Sequence, residues 1–225
     1  MHIPDGFLSN DVAAVAAVPA VAAVAYGLRR ASSALDERRV PLLGVTAAFI
    51  FAVQMLNFPV AGGTSGHLLG AALAAILLGP WLACVVMAVV LTAQCFVFAD
   101  GGVTALGAND LNMGVIGALV VGFGVVWALK VLPPGRATYL ATAGVGAWMA
   151  VMLGATACAI ELGVSGTVPF ATVLPAMLGV HALIGIGEAV ITVAAVSAVL
   201  AARPDLLTVA PREGRRFAPA PAGGV

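Results

Sequence analysis

Charge is scarce in this chain. Ten basic and ten acidic residues are spread through 225 positions, nine per cent of the whole, against 62% hydrophobic residues and a mean hydropathy of +1.10. That balance excludes a soluble globular domain, which would precipitate at such apolarity, and points to a polytopic membrane protein. Cysteine is also sparse: Cys84, Cys95 and Cys158 lie apart in apolar stretches with no CxxC pair, so neither a disulfide framework nor a zinc site is indicated. There is no GxxxxGK[ST] loop to cradle a phosphate and no HExxH helix to hold a catalytic zinc. The chain is therefore expected to bind no nucleotide and to be no zinc protease; any ATP hydrolysis that drives it falls to a separate polypeptide, and the chain itself is expected to be no enzyme.

What is abundant is long apolar sequence. Crossing about 30 Å of hydrocarbon takes roughly 20 helical residues, and runs of that kind fall at 10–28, 41–57, 110–130, 138–162 and 177–201. Residues 67–99 are apolar almost throughout but broken at Gly79-Pro80, a helix-interrupting pair. Division there gives a short helix, 67–78, and a full one, 81–99. The expected fold is all-α, a bundle of seven transmembrane helices.

The basic residues test that number. Arg29, Arg30, Arg38 and Arg39 follow the first segment, Lys130 and Arg136 separate the fifth from the sixth, and Arg203, Arg212, Arg215 and Arg216 follow the seventh. With seven crossings all ten lie on one side; with six, the first group opposes the others. Positive charge marks the cytoplasmic face, so the N-terminus is expected outside and the C-terminus in the cytoplasm of a plasma (inner) membrane protein. The basic loops are topology signals beside a lipid bilayer, with no nucleic acid as partner. Residues 1–202 read as the membrane-embedded domain. Residues 203–225, rich in Pro, Ala, Arg and Gly, read as a disordered cytoplasmic tail.

Histidine is scarce too: His2, His67 and His181. A signal peptide carries positive charge ahead of its apolar run, whereas Asp5 and Asp11 precede this one and Arg29 and Arg30 follow it. The first segment is thus expected to stay uncleaved, with Met1 retained because His2 is not small. A free amine, the next amide nitrogen and the His2 imidazole then close fused chelate rings around one metal ion. They fill three corners of a square plane, and His67 or His181 supplies the fourth nitrogen. An all-nitrogen tetragonal site suits Ni(II) or Cu(II), with Co(II) as a possible guest.

Other polar residues share the expected depth of such a site. A helix over 67–78 climbs only about 18 Å, leaving His67 below the outer surface, where Pro4 and Gly6 allow the first residues to bend towards it. Gln54, Asn57, Gln94, Asn109, Asp110, Asn112 and His181 lie at that level, and Glu188 follows His181 two turns along the same helix face. Such groups can orient metal-bound nitrogens or simply join helix to helix. The loop Ala61-Gly-Gly-Thr-Ser65-Gly66 leaves room for an inserted N-terminus. Ala13, Ala16, Ala17 and Ala20 give the first helix a face for close packing, inside the bundle or against another subunit.

Met1-His-Ile-Pro-Asp-Gly-Phe-Leu-Ser9, Gly62-Gly-Thr-Ser-Gly-His67-Leu-Leu-Gly70, Gly102-Val-Thr-Ala-Leu-Gly-Ala-Asn109 and the stretch His181 to Glu188 resemble the CbiM/NikM family. These are substrate-binding membrane proteins of energy-coupling-factor transporters for cobalt and nickel, and the resemblance spans residues 1–202. It implies a metal held by the Met1 amine, the His2 amide and imidazole, and the His67 imidazole, with Gln54, Asn57, Ser65, Gln94, Asn109, His181 and Glu188 as candidate supporting groups. It implies Ni2+ or Co2+ as transported substrate. The partners it implies are a transmembrane coupling protein, cytoplasmic ABC ATPases and a small additional membrane subunit, which no apolar run after Ala202 supplies here. Many cobalt-type members carry Met-Glu-Gly where Ile3-Pro4-Asp5-Gly6 stands, which inclines the resemblance towards nickel. The alternative is an autonomous proton-coupled secondary transporter, which wants acidic groups along a path and often repeated halves. The sequence offers Glu188 as its deep glutamate and no repeat.

Overall fold

The computed structural model describes residues 1–34 and 40–210. Among these residues seven helices of eight residues or more follow one another: α1 (Asn10–Ala34), α2 (Val40–Gln54), α3 (Ala71–Leu78), α4 (Pro80–Phe98), α5 (Leu106–Val131), α6 (Arg136–Val164) and α7 (Phe170–Ala202). Five of them, α1, α4, α5, α6 and α7, are long and apolar enough to cross a membrane, while α2 has 15 residues and α3 only eight. The middle of α5, Leu111–Val120, winds as a π-helix. Arg38, Arg39, Arg212, Arg215 and Arg216 lie outside the described residues.

The core is the short helix. All eight residues of α3 are buried, walled by α4, α5, α6 and α7. A helix apolar on every side belongs in such a position. Ala16 and Ala20 of α1 are buried in the same bundle, and a Cβ at Gly107 of α5 would strike Ala17. The small-residue face of α1 is therefore used internally.

Three expectations change. The helix expected over 67–78 begins only at Ala71, because Gly70 adopts a positive φ of 75° and the N–H groups of Leu69 and Gly70 donate to the buried Glu188 carboxylate. Residues 67–70 enter as extended chain, and the remaining helix rises about 12 Å. The last helix starts at Phe170 rather than near 177, accommodating Pro175 in its second turn, so His181 sits some three turns inside it. Among the described residues the all-α architecture is interrupted once, by the antiparallel pair Phe58–Pro59 and Ser65–Gly66. Its turn closes with Gly63 N–H donating to Val60 O at 2.9 Å, and Gly62 at φ 76° takes the left-handed position.

The first residues of the expected tail pack against the bundle. Residues 203–210 return to the far end of α3, where Pro80 has no N–H to offer the Ile76 carbonyl. Val209 N–H donates there instead at 3.0 Å, and Thr208 donates to Leu77 O through its N–H at 3.3 Å and its hydroxyl at 2.8 Å. Leu207 is buried, and the Tyr139 hydroxyl donates to Val209 O at 2.7 Å. The rest of the expected tail, 211–225, lies outside the described residues.

Candidate metal centre

The first residues fold into the bundle instead of away from it. Met1, His2 and Ile3 are buried. Ile3 is gripped on both edges by one side chain: its N–H donates to Asn109 Oδ1 at 2.8 Å, and its carbonyl accepts from Asn109 Nδ2 at 3.2 Å. Gly102 N–H donates to the same carbonyl at 2.8 Å. Asp5 Oδ1 accepts from the N–H and hydroxyl of Thr104 at 2.7 and 2.6 Å, which holds its carboxyl below the ordinary 3.8. The Thr167 hydroxyl donates to Phe7 O. Each neutral bond contributes about 1 kcal/mol net of water, so it is the set of them that fixes the segment.

That placement needs missing side chains elsewhere. A Cβ at Gly102 would collide with the backbone of Pro4 and Asp5, and one at Gly154 of α6 would come within 3.2 Å of the Met1 sulfur. The close approaches are written into the sequence as glycine.

The Met1 amine ends against Ser65, donating to its carbonyl and to its Oγ at 2.8 Å; His2 N–H donates to the same Oγ at 3.1 Å. One hydroxyl thus touches both backbone nitrogens. Burial lowers the amine from its ordinary 8.0 to about 5, opposed by Cys158 and Asp100. Burial, then the neighbouring amine, lowers His2 from 6.5 to about 3. His67 is lowered well below 6.5, by burial first and then by the amine and His2. Amine and imidazoles are therefore neutral at pH 7, with lone pairs free to bind.

His67 is the histidine brought to His2: their ring centroids are 4.6 Å apart. Its Nδ1 lies 2.9 Å from Leu68 O; a carbonyl can only accept, so Nδ1 carries the proton and Nε2 the lone pair. The Nε2 atoms of His2 and His67 are both buried without a hydrogen-bond partner. His181 lies beneath the loop, its ring beside the Ser65 backbone and its Nδ1 2.7 Å from Met177 O.

The other candidate residues divide between support and periphery. Gln54 Nε2 donates to Leu69 O at 2.8 Å, so Gln54 and Glu188 clamp the strand beyond His67 from two helices. Asn109 holds Ile3. Asn57 is exposed and reaches Asp100 Oδ2 at 2.8 Å. Gln94 is buried with neither amide atom hydrogen-bonded. Asp110 is buried in α5, and Asn112 Nδ2 donates to Glu161 Oε2 at 2.7 Å.

Two acidic residues were missed by sequence reasoning. Glu161, the second buried glutamate, stood inside the apolar stretch 138–162, and its charge there was the signal. Asp100 stood between an apolar run and Gly101-Gly102. Its Oδ2 is 3.7 Å from His2 Nε2, and burial raises its carboxyl above 3.8 against the lowering effects of the amine and Asn57. A cavity of about 520 Å3 lined by His2, Asp5, Asn57, Ser65, Asp100 and Gly101 lies over this edge of the site.

The family model for CbiM, described as cobalt uptake substrate-specific transmembrane region, matches residues 2–206. This chain belongs to the CbiM family. It is 43% identical over 209 residues to a putative fused nickel transport protein NikMN of Archaeoglobus fulgidus, covering 92% of this chain and 68% of that protein. Against the cobalt transport protein CbiM of Sorangium cellulosum the identity is 33%, covering 92% of this chain and 94% of that one. The crystal structure of a truncated transition metal transporter superposes with a TM-score of 0.81 at 33% identity, covering 89% of this chain and 99% of the other. Membership in this family together with the five apolar helices makes the chain a multi-pass membrane protein.

Proposed function

We propose that this CbiM-family chain is the substrate-specific membrane component of an ATP-driven energy-coupling-factor importer, capturing Ni2+ or Co2+ from the outer face of the plasma membrane. The observation that carries the reading is the convergence of the Met1 amine, the His2 amide and imidazole, and the His67 imidazole in one buried place, with the Nε2 of His67 unpartnered. Four nitrogen donors in a plane match the tetragonal preference of Ni(II) and accept Co(II). Nickel and cobalt transport proteins among the relatives agree with that donor set.

All seven helices cross or enter the bilayer in this reading, with the N-terminus outside and every basic loop in the cytoplasm. The membrane domain is 1–202. A transmembrane coupling protein, cytoplasmic ABC ATPases and a small membrane subunit are the partners. Gln54, Asn57, Ser65, Asn109, His181 and Glu188 hold the ligands or the loops that carry them; Gln94, buried with both amide atoms unpartnered, is the remaining candidate.

The test is Ni2+ and Co2+ titration of the purified chain with its Met1 amine free, beside the same chain with a short N-terminal extension and the H2A and H67A variants. Tight binding lost in all three supports the four-nitrogen site. Equal binding by native and extended chains overturns it.

A further inference from the structure

His2 Nε2 is buried without a hydrogen bond, and the polar group it faces is Asp100 Oδ2, 3.7 Å away. The carboxylate is held there by several devices. Asp100 N–H donates to Gln94 O at 3.0 Å, and Asn57 Nδ2 donates to Oδ2 at 2.8 Å. Ala99, which ends α4, has a φ of 53° and is the one non-glycine residue with positive φ among the described residues. An alanine in that region is strained and persists only where its surroundings impose it. Gly101 follows at φ 94°, and a Cβ there would stand 3.4 Å from His2 Nδ1. The turn brings a carboxylate to one edge of the imidazole and keeps side-chain bulk off the other. Asp100 is 17% exposed, against 3% for His2, so it stands on the cavity side of the ring.

We propose that Asp100 is the positioning residue of His2: with Nδ1 turned to the metal, Nε2–H donates to Asp100, which fixes the tautomer and the ring plane. The proposal rests on the four-nitrogen reading and adds a carboxylate that the ligand set does not itself require. Chelation through the amine and amide of the same residue pair demands Nδ1, because only that nitrogen closes a ring of workable size, so the proton belongs on Nε2. A carboxylate partner there also makes the imidazole a stronger donor. Contraction of the 3.7 Å separation to hydrogen-bond length, by about 1 Å, is within reach of a side chain bordering a cavity.

The experiment titrates Ni2+ into the full native chain in detergent and into D100A, D100N and H2A, following affinity and the visible ligand-field band. The 15N shifts of the His2 ring are recorded in the metal-free proteins, and circular dichroism monitors folding. D100A is expected to bind about 10–100-fold more weakly, with its band at longer wavelength because a less basic imidazole exerts a weaker field, and with His2 no longer confined to the Nε2–H form. D100N, which retains an acceptor but no charge, falls between D100A and native. Native affinity, band and tautomer in both Asp100 variants overturn the proposal. So does an Nδ1–H ring in the native metal-free chain, a readout that stands even where D100A fails to fold. Loss of binding in H2A with native binding in both Asp100 variants removes only the role of Asp100; native binding in H2A removes the four-nitrogen reading itself.

Discussion

Glu188 caps Gly70 across the bundle. Its Oε1 accepts from Gly70 N–H at 2.5 Å while Oε2 accepts from Leu69 N–H at 2.8 Å. A helix N-terminus presents unpaired N–H groups and partial positive charge, and here a buried carboxylate from α7 answers both. The same contacts stop α3 from starting at His67, so that the histidine rides on extended chain and can reach His2.

Removing that carboxylate therefore acts on stability and on the site together. In E188A two buried donors lose their acceptor, at roughly 1–3 kcal/mol each, and the chain beyond His67 is held from one side only, by Gln54. A lowered Tm in detergent together with weakened Ni2+ binding is the expected result. E188Q, which can accept at one oxygen, falls between E188A and native. A native Tm in E188A would show that the capping bonds carry no weight.

Local chemistry was legible in the sequence where all its parts are adjacent. The proposed Met1-His2 chelate can be read from the sequence because amine, amide and imidazole are covalent neighbours, and the Gly79-Pro80 break between α3 and α4 is a property of two consecutive residues. Composition and spacing left His67 and His181 open as the proposed fourth donor, and only the family resemblance pointed to His67, since folding alone separates the two: the delayed start of α3 and the early start of α7 place one against His2 and the other beneath Ser65. The strands at 58–59 and 65–66 are too short to leave a period, and the return of Thr208 and Val209 to α3 answers a missing Pro80 N–H that composition does not reveal. Asp100 carries no motif of its own. Its relation to His2 comes from the backbone turn at Ala99.

Ser65 offers a narrower test. Its Oγ touches the Met1 amine at 2.8 Å and the His2 amide nitrogen at 3.1 Å, while its carbonyl also accepts from the amine. S65A leaves the carbonyl in place and removes the shared hydroxyl. The bond from the amine contributes about 1 kcal/mol, while the amide N–H bond exists only before the metal displaces that proton, so Ni2+ affinity is expected to fall about five-fold with the fold intact. S65T, which retains a hydroxyl, should recover part of the loss. Unchanged affinity in S65A would remove the hydroxyl from any part in the site.

Gly102 should be less forgiving. A Cβ there meets the backbone of Pro4 and Asp5, which cannot swing aside as a flexible side chain does. G102A is expected to expel the N-terminal segment while leaving the helical bundle assembled. The measurable signs are a Met1 amine newly reactive towards amine-labelling reagents at neutral pH, loss of Ni2+ binding, and native helicity by circular dichroism. An unreactive amine in G102A would mean that the segment finds another way past the loop.

Proton release on metal binding tests the buried amine directly. In the folded, metal-free chain burial takes the amine from 8.0 to about 5 and His2 from 6.5 to about 3, so at pH 7 neither holds a proton that the metal must displace. In the proposed four-nitrogen site only the His2 amide proton leaves. Log affinity should then rise by about one per pH unit between roughly pH 6 and 8, in step with one proton released, and the dependence should steepen as pH falls through about 5 and the amine begins to compete. An amine left in water at 8.0 would release a second proton across the same range and give a slope near two. Without metal, the unfolded amine holds a proton between about pH 5 and 8 that the folded amine does not. Stability should accordingly rise with pH across that window and level off above it. Calorimetric titration in buffers of different ionisation enthalpy counts the protons, and a count of two at pH 7 would place the Met1 amine outside the buried site.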